Sequence, residues 1–550
     1  MELVVVGLPG SGKTAIGRRV ASRHGATFLD LDEEIEAAAG ARIPEIFERE
    51  GEAGFRKRER AAIGALGDPD QSGKLTRVIA PGGGGIVDPR NRWRLFRGRQ
   101  PIWLDVRPEV VAQRLRRSPI VRPLVAGRDP MGPVRDLASA RGRFYAAATR
   151  VPGVAEMASV VDAVDAVVKA PARAGTVLLR AETRLGRLVI GDGILAAEAD
   201  AALRDVGARR AIIVSEPGAW GAVGSRLTGD LASLGWPVER VMLPQGEDAK
   251  RLSIVETAAS ELARLRIERR EPLIAVGGGA LGDTAGFIAA TYLRGVPFIQ
   301  VPTTLVAQLD SSIGGKTGVD LPEGKNLVGA FHQPAAIVAD ISVLATLKVR
   351  QRRAALAEAV KMAALGDERL FQALEAEGAA IAAGDVAATD SGALAEVVER
   401  AAWAKVEVVL ADEKEAGARM ALNLGHSLGH AVEAAAGFRD LLHGEAVAYG
   451  LRAAARLGVA RGATPQERAD RIERLLDRLE LGVAPLSLDL EVVLEHLGTD
   501  KKHEAGALRW VLPTADGHTI DKEVPLALVR DVAATVLAGR GAALAAATTR

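Results

Sequence analysis

Gly7-Leu8-Pro9-Gly10-Ser11-Gly12-Lys13-Thr14 follows the apolar run Leu3–Val6 and runs into a helical pattern over Lys13–Ser22. Strand, glycine-rich turn and helix start are the context in which such a loop binds phosphate. Its glycines let backbone N–H groups converge on phosphate oxygens, and the helix N-terminus adds a favourable field. Gly10, Ser11 and Gly12 line this cradle, Lys13 is expected to reach the β- and γ-phosphates, and Thr14 to hold Mg²⁺ through its hydroxyl. The bland alternative is a chance glycine turn; the flanking strand and helix argue against it.

Working outward, short strands at Thr27–Leu31, Val78–Ala80 and Pro101–Val106 alternate with helical patterns. That alternation predicts a parallel sheet covered by helices on both faces. Asp30-Leu31-Asp32 ends the second strand on the phosphate-loop side. One carboxylate there can assist the metal and the other accept a substrate hydroxyl; the competing reading is a helix cap before Glu33-Glu34-Ile35. The strand Val78–Ala80 ends in Gly82-Gly83-Gly84-Gly85, where a typical phosphate-loop ATPase places an acidic metal ligand. Backbone amides there suit an anionic substrate. Arg114, Arg116, Arg117, Arg122 and Arg128 crowd a loop-like stretch. They read either as a solvated face or as a lid in which Arg122 closes on the transferring phosphoryl group.

This set of motifs resembles shikimate kinase over residues 1 to about 165. The resemblance rests on the phosphate loop, the Asp-x-Asp pair, Phe55-Arg56, the glycine run and Arg122-Pro123-Leu124. It implies ATP and Mg²⁺, and places Asp32, Arg56, Gly82, Gly83, Gly84 and Arg141 around shikimate, with Lys13, Asp32 and Arg122 in catalysis. A rival from another class is a degenerate ATP-binding or scaffolding module; intact Lys13, Thr14, Asp32, Arg56 and Arg122 argue against it.

A boundary is expected near residue 175, where Val164–Gly175 is rich in Ala and Val and carries Pro171. The expected domains are 1–170, a linker at 171–180, an α/β domain at 181–340, a helical domain at 341–540 and a disordered tail at 541–550. Strands are predicted at Arg187–Ile190, Ala211–Ser215, Leu273–Val276 and Phe298–Val301, with one returning near Leu508–Leu512. The fold class is therefore α/β throughout: a phosphate-loop kinase-type sheet, a Rossmann-like domain and a mostly helical metal-binding domain.

Leu273–Val276 leads into Gly277-Gly278-Gly279-Ala280-Leu281-Gly282-Asp283, which suggests a pyrophosphate on backbone amides, although tight turns use glycine for backbone reasons too. Pro302-Thr303-Thr304, Asp310–Gly318 and Gly324–Gly329 follow, dense in small residues with Lys316 and Lys325 for an anion. The chain has no cysteine, and three of its eight histidines fall within His426–His443. A metal site must then use imidazole and carboxylate, the ligand set of catalytic zinc. On helices, Glu358 and Lys361 share a face, as do His426 and His430. A lone helical histidine is more often structural. Glu358, His426 and His443 together would give a three-ligand catalytic set, with His430 as a supporting or catalytic group.

From about residue 180 to 530 the sequence resembles 3-dehydroquinate synthase. The carriers are the glycine turn, Asp310–Gly318, Lys325-Asn326, Ala357–Lys361, Leu422–His430, His443-Gly444-Glu445 and Asp500-Lys501-Lys502. The resemblance implies bound NAD⁺, a Zn²⁺ or Co²⁺ ion on Glu358, His426 and His443, and 3-deoxy-D-arabino-heptulosonate 7-phosphate as substrate. It assigns substrate contacts to Asp310, Lys316, Lys325, Asn326, Lys361, Lys405, Arg419, Asn423, His430 and Lys501, with Lys316, Lys325, Asn326, Arg419 and His430 in catalysis. It assigns cofactor contacts to Glu247, Lys250, Gly278, Gly279, Asp283, Thr303 and Thr304. Ser215-Glu216-Pro217 departs from the family's usual aspartate for the cofactor ribose, and Leu424 and Ser427 are mild variants. The nearest rival is a metal- and NAD-dependent polyol dehydrogenase, which has no need for Lys316, Lys325 or Asp500-Lys501-Lys502.

The expectation is thus a bifunctional enzyme of the shikimate route to aromatic amino acids, performing its second and fifth steps at independent sites. Net charge is +1, so nothing global points to nucleic acid or an anionic membrane. No apolar run is long enough to span a bilayer. The first residues read as a buried strand rather than a signal peptide. A cytoplasmic location and small-molecule substrates are expected, and the resemblance to the synthase family implies a homodimer through the second half.

Overall fold

The computed structural model describes residues 1–70, 72–118, 129–153, 156–171, 174–437, 440–499 and 509–539. The expected lid residue Arg122, the substrate lysine Lys501 and the tail 541–550 lie outside the described residues. The chain forms two compact units, Met1–Thr183 with Arg187–Glu198, and Arg184–Gly186 with Ala199–Arg550.

The first unit is built on β1 (Glu2–Val6), β2 (Thr27–Asp30), β3 (Arg77–Ala80), β4 (Gln100–Asp105) and β5 (Thr149–Pro152), in the order β2-β3-β1-β4-β5. All neighbours are parallel. Every residue of β1 is buried, as a strand covered on both faces requires, and this accounts for its unbroken apolar run. The chain visits β2 and β3 on one side of β1, then crosses to β4 and β5 on the other. The switch in direction leaves a crevice at the C-terminal end of β1, where the loop Gly7–Thr14 sits. Gly10 and Gly12 adopt φ of 84° and 99°, a conformation that strains other residues. The helix Lys13–His24 packs Ile16 and Val20 onto Leu3, Val5, Ile102 and Leu104. It ends at Gly25, whose left-handed backbone returns its N–H to the last turn, and Arg23 and His24 complement the helix dipole there.

Two strands follow, β6 (Thr176–Thr183) and β7 (Gly186–Asp192). In the second unit, β8 (Ala211–Ser215), β9 (Val238–Met242), β10 (Leu273–Gly277), β11 (Phe298–Pro302) and β14 (Ala336–Asp340) lie in the order β14-β11-β10-β8-β9, all parallel. The chain steps outward from β8 to β9 and then back across β8 to β10. The switch point therefore falls between β8 and β10, with Ser215 level with Val276 and Gly277 level with Pro302. An antiparallel ribbon of β12 (Lys316–Leu321) and β13 (Gly324–Phe331) is inserted before β14.

After Ile341 the chain is largely helical, with one late hairpin of β15 (Trp510–Pro513) and β16 (His518–Asp521). Small residues set the helix spacing. A Cβ on Gly444 would stand 1.9 Å from Ala354 O, so the helix His443–Ala460 lies tight against Val349–Ala364. A Cβ on Gly450 would stand 1.7 Å from Gly425 O, so the helix His426–Ala435 is equally close. Three helices meeting at this distance bring their first turns and the middle of Val349–Ala364 together. Among the described residues no helix is long and apolar enough to cross a membrane.

Candidate active sites

In the first unit, Lys13 Nζ folds back over its loop and donates to Gly7 O at 3.0 Å and Leu8 O at 3.2 Å. Thr14 Oγ1 donates to Asp30 Oδ2 at 2.8 Å, while Asp30 Oδ1 accepts from the Asp32 backbone N–H at 3.1 Å. Asp30 thus caps the helix Leu31–Ala39, as the helix-cap reading has it, and its other oxygen accepts from the Thr14 hydroxyl. The strand consequently stops at Asp30, one residue short of the predicted Leu31.

The glycine run gathers the remaining polar groups. Gly83 O accepts from Arg141 Nη1 at 2.7 Å and from Tyr145 Oη at 2.8 Å. A Cβ on Gly82 would lie 2.6 Å from Asp32 Oδ1, one on Gly84 would lie 2.7 Å from the Arg56 guanidinium, and one on Gly83 would lie 2.9 Å from Pro9. Asp32, Arg56, Arg141 and the phosphate loop therefore converge on this one turn. Arg56 is held by Glu59 at 2.8 Å and by Glu52 at 3.0 Å. Burial pushes the Glu59 carboxyl above its ordinary range, although Arg56 opposes that. Glu59 went unnoticed in the sequence; its spacing of three residues from Arg56 was the available signal. Arg114 was noted only as part of a cluster, yet its Nη1 donates to Ser11 O at 3.1 Å on the phosphate loop.

In the second unit, Glu358, His426 and His443 each present a ligand atom, and these atoms lie within 4.8 Å of one another. Glu358 Oε1 is 3.5 Å from His426 Nε2 and 3.3 Å from His443 Nε2. These separations exceed good hydrogen bonds. They match the edge of a tetrahedron, about 3.4 Å, that donors at about 2.1 Å from a zinc-type ion would form. The other ring nitrogens are fixed: His426 Nδ1 donates to Leu424 O at 3.1 Å and His443 Nδ1 to Glu433 Oε2 at 3.1 Å. Both Nε2 atoms are thereby left to face the carboxylate. Without an ion, burial drives the His426 pKa down to about 3. For His443, burial is outweighed by the carboxylates of Glu358 and Glu433, which hold it up at about 10. The donor set fits a divalent cation. His430 lies edge-on to His426 and tilted to His443, its centroid 5.2 Å from the first and 5.9 Å from the second, and is outside the ligand set.

Around this cluster lies a buried ionic network. Lys361 Nζ is 2.5 Å from Glu358 Oε2 and 3.4 Å from Asp310 Oδ1. Lys405 Nζ reaches Asp310 Oδ2 at 2.9 Å. Arg419 donates to Gly314 O at 3.1 and 3.2 Å. Lys325 is 2.8 Å from Glu433 and 3.6 Å from Glu247. Lys250 bridges Asp283 at 2.9 Å and Asn326 Oδ1 at 2.5 Å. Lys316 stands apart at the ribbon edge, paired with Glu415, and Asn423 ends the short helix before the histidines.

At the β8–β10 switch point, Glu216 Oε2 accepts from Gly246 N–H at 2.6 Å and its Oε1 lies 3.5 Å from Gly278 N. The glutamate occupies the crevice edge despite its departure from aspartate. Thr303 N–H bonds Gly277 O, and a Cβ on Gly279 would lie 2.8 Å from Ser311 Oγ. Gly278 and Gly279 open the helix Gly279–Thr291, a fit for a diphosphate. Ser311 was quoted in the sequence only within Asp310–Gly318, and Glu433 was passed over; Glu433 follows His430 by three residues and so shares its helical face.

Two crevices at sheet switch points, one with a phosphate loop and one beside a three-donor cation cluster, define a two-headed nucleotide-using enzyme. The chain belongs to the 3-dehydroquinate synthase family and carries a shikimate kinase domain ahead of it. Family models match as follows: shikimate kinase over residues 9–169, 3-dehydroquinate synthase N-terminal over 240–354, and 3-dehydroquinate synthase C-terminal over 355–503. The 3-dehydroquinate synthase of Synechococcus sp. is 44% identical over 323 residues, 58% of this chain and 87% of that relative. A 2-epi-5-epi-valiolone synthase from Streptomyces hygroscopicus, with NAD⁺ and Zn²⁺ bound, superposes with a TM-score of 0.57 at 30% identity, covering 64% of this chain and 96% of its own. A 2-deoxy-scyllo-inosose synthase with carbaglucose-6-phosphate, NAD⁺ and Co²⁺ gives 0.55 at 26% identity, covering 64% and 97%. The matches support a bifunctional shikimate-pathway enzyme and give no support to the polyol dehydrogenase or degenerate-module readings.

Proposed function

We propose that the first unit phosphorylates shikimate from ATP, and that the second converts 3-deoxy-D-arabino-heptulosonate 7-phosphate to 3-dehydroquinate with release of phosphate. The observation that carries the second assignment is the Glu358–His426–His443 cluster beside the Lys361–Asp310–Lys405 network. NAD⁺ and a Zn²⁺ or Co²⁺ ion, when bound, supply a reversible hydride acceptor and a Lewis acid for a substrate hydroxyl.

The chain's own residues supply positioning. In the kinase unit, Gly10, Ser11, Gly12, Lys13 and Thr14 seat ATP and Mg²⁺. Asp32 accepts a shikimate hydroxyl, Arg56, Arg141 and the amides of Gly82–Gly84 hold its carboxylate, and Arg122 covers the transferred group. In the synthase unit, Glu247, Lys250, Gly278, Gly279, Asp283, Thr303 and Thr304 hold the dinucleotide. Asp310, Lys316, Lys325, Asn326, Lys361, Lys405, Arg419, Asn423 and Lys501 hold carboxylate, hydroxyls and phosphate in register, and His430 moves a proton at the substrate. The same reading divides the chain into a kinase domain at 1–170, a linker at 171–180, an α/β domain at 181–340 and a helical domain at 341–540. We extend the reading to a cytoplasmic homodimer through the synthase half, which the family resemblance supports and light scattering tests. The functional test is phosphate release from the seven-carbon acid with and without a chelator, alongside ATP-dependent phosphorylation of shikimate. Chelator-insensitive phosphate release would remove the metal from the second assignment.

A further inference from the structure

Glu433 is 6% exposed and uses both carboxylate oxygens. Oε2 takes the Nδ1 proton of His443 at 3.1 Å, and Oε1 takes the ammonium of Lys325 at 2.8 Å. His443 Nε2 then faces Glu358 Oε1 at 3.3 Å. Lys325 sits on the ribbon strand β13, more than a hundred residues earlier in sequence.

We infer that Glu433 is a positioning residue that sets two groups at once: the cation-facing imidazole of His443, and the anion-binding ammonium of Lys325. This rests on reading the Glu358–His426–His443 cluster as a metal site. The physical basis is geometric. An imidazole whose Nδ1–H is pinned by a carboxylate cannot rotate its Nε2 lone pair away, and it is a more basic ligand. A lysine on a two-stranded ribbon has a flexible four-carbon stem, and a buried carboxylate at its tip fixes where its charge lies. One side chain thereby links the cation cluster to the ribbon that carries Lys325 and Asn326. His443 and Lys325 lie against different oxygens of Glu433, and a glutamine there has an acceptor oxygen at one of these positions and an NH₂ donor at the other, so it cannot reproduce both bonds.

The test uses the full chain stripped of metal. Zn²⁺ affinity is measured against a chromogenic chelator, the visible bands of the Co²⁺-loaded protein are recorded, and KM is measured for the seven-carbon substrate. Glu433→Ala is expected to weaken Zn²⁺ binding by about 10- to 100-fold, to move the Co²⁺ bands and to raise KM. Lys325→Met is expected to raise KM while leaving Zn²⁺ affinity and the Co²⁺ bands as in the parent. Glu433→Gln is expected to spare one of the two readouts, and it carries the test if the alanine variant fails to fold. Parent-like Zn²⁺ affinity and Co²⁺ bands in a folded Glu433→Ala, or parent-like metal binding together with a parent-like KM in Glu433→Gln, with His443→Ala defective in metal binding, would overturn the inference alone. If His443→Ala itself binds Zn²⁺ as tightly as the parent, the metal reading fails and this inference with it.

Discussion

Glu358 Oε1 lies 3.3 Å from His443 Nε2, while the second oxygen of the same carboxylate lies 2.5 Å from Lys361 Nζ. Glu358 therefore serves the cation cluster and the ionic network together, and the two uses are separable by mutation. His443→Ala removes a cation donor and leaves the lysine pair whole. We expect it to lower synthase turnover by more than about 100-fold, since loss of a ligand should exceed the loss seen for ligand-supporting groups, with shikimate phosphorylation unchanged. Glu358→Ala also takes the nearer of two carboxylates from the buried Lys361 ammonium, leaving Asp310 at 3.4 Å, and breaking such a buried pair costs up to about 3–5 kcal/mol. Calorimetry should accordingly find the second unit's unfolding well below the parent's for Glu358→Ala. Equal unfolding temperatures in the two variants would contradict the shared role.

Lys13 Nζ donates to the backbone carbonyls of Gly7 and Leu8 in its own loop. Lys13→Ala should reduce shikimate phosphorylation by about 10²–10³-fold, the scale for deleting one preorganised charge-stabilising donor. Phosphate release by the synthase unit should be the same as in the parent, as independent sites require. A matching fall in both activities, measured on one preparation, would argue for coupled sites.

How much of this was open to a reader of the sequence follows from how local each signal is. The phosphate loop, the glycine turn after β10 and the paired histidines on one helix are contiguous patterns, and each sits where its motif predicts. Buried strands such as β8 and β10 announced themselves by apolar runs. The edge strands β5 and β9 did not: Val238–Met242 has a single fully buried residue and Thr149–Pro152 is four residues ending in proline. Glu433 and Glu59 were missed for a different reason. A glutamate on an amphipathic helix reads as a solvated face, and only tertiary packing reveals that both are buried against a histidine or an arginine. The helix approach that unites Glu358 with His443 depends on Gly444 and Gly450, whose meaning appears only once the neighbouring backbone is in place.

Lys361 and Lys405 share Asp310 but titrate in opposite directions. Burial disfavours the charge on both. For Lys361, Asp310 and Glu358 outweigh it and raise the pKa; for Lys405, burial prevails, with Asp310 its near partner and Lys361 repelling it, and the pKa falls. A lysine with a depressed folded pKa contributes stability above its ordinary pKa of 10.5, and that contribution is lost as pH falls through the folded value. The charged form is thus kept at neutral pH at some expense of stability, as suits an anion-binding group. We expect KM for the seven-carbon acid to rise with alkaline pH before 10.5 is reached, as Lys405 loses its proton. Lys405→Arg keeps its charge throughout and should lack this limb. A KM profile that is the same in the two proteins up to that pH would assign the anion to other groups.

The glycine run offers a test of the shikimate pocket that removes no charged group. A Cβ at position 84 would meet the Arg56 guanidinium at 2.7 Å, and Arg56 is otherwise fixed by Glu59 and Glu52. Because the obstacle is the far end of a flexible side chain, Gly84→Ala should fold and displace Arg56 by a fraction of an ångström rather than disrupt the sheet. Displacements of that order at a substrate-positioning group cost up to about 100-fold in efficiency. The loss should fall on KM for shikimate, with KM for ATP unchanged, because the displaced group is Arg56, whereas Lys13 bonds Gly7 and Leu8 and Thr14 bonds Asp30. Steady-state kinetics with each substrate varied separately decides the matter. A rise in KM for ATP alone would place Gly84 on the nucleotide side of the loop and detach Arg56 from the shikimate carboxylate.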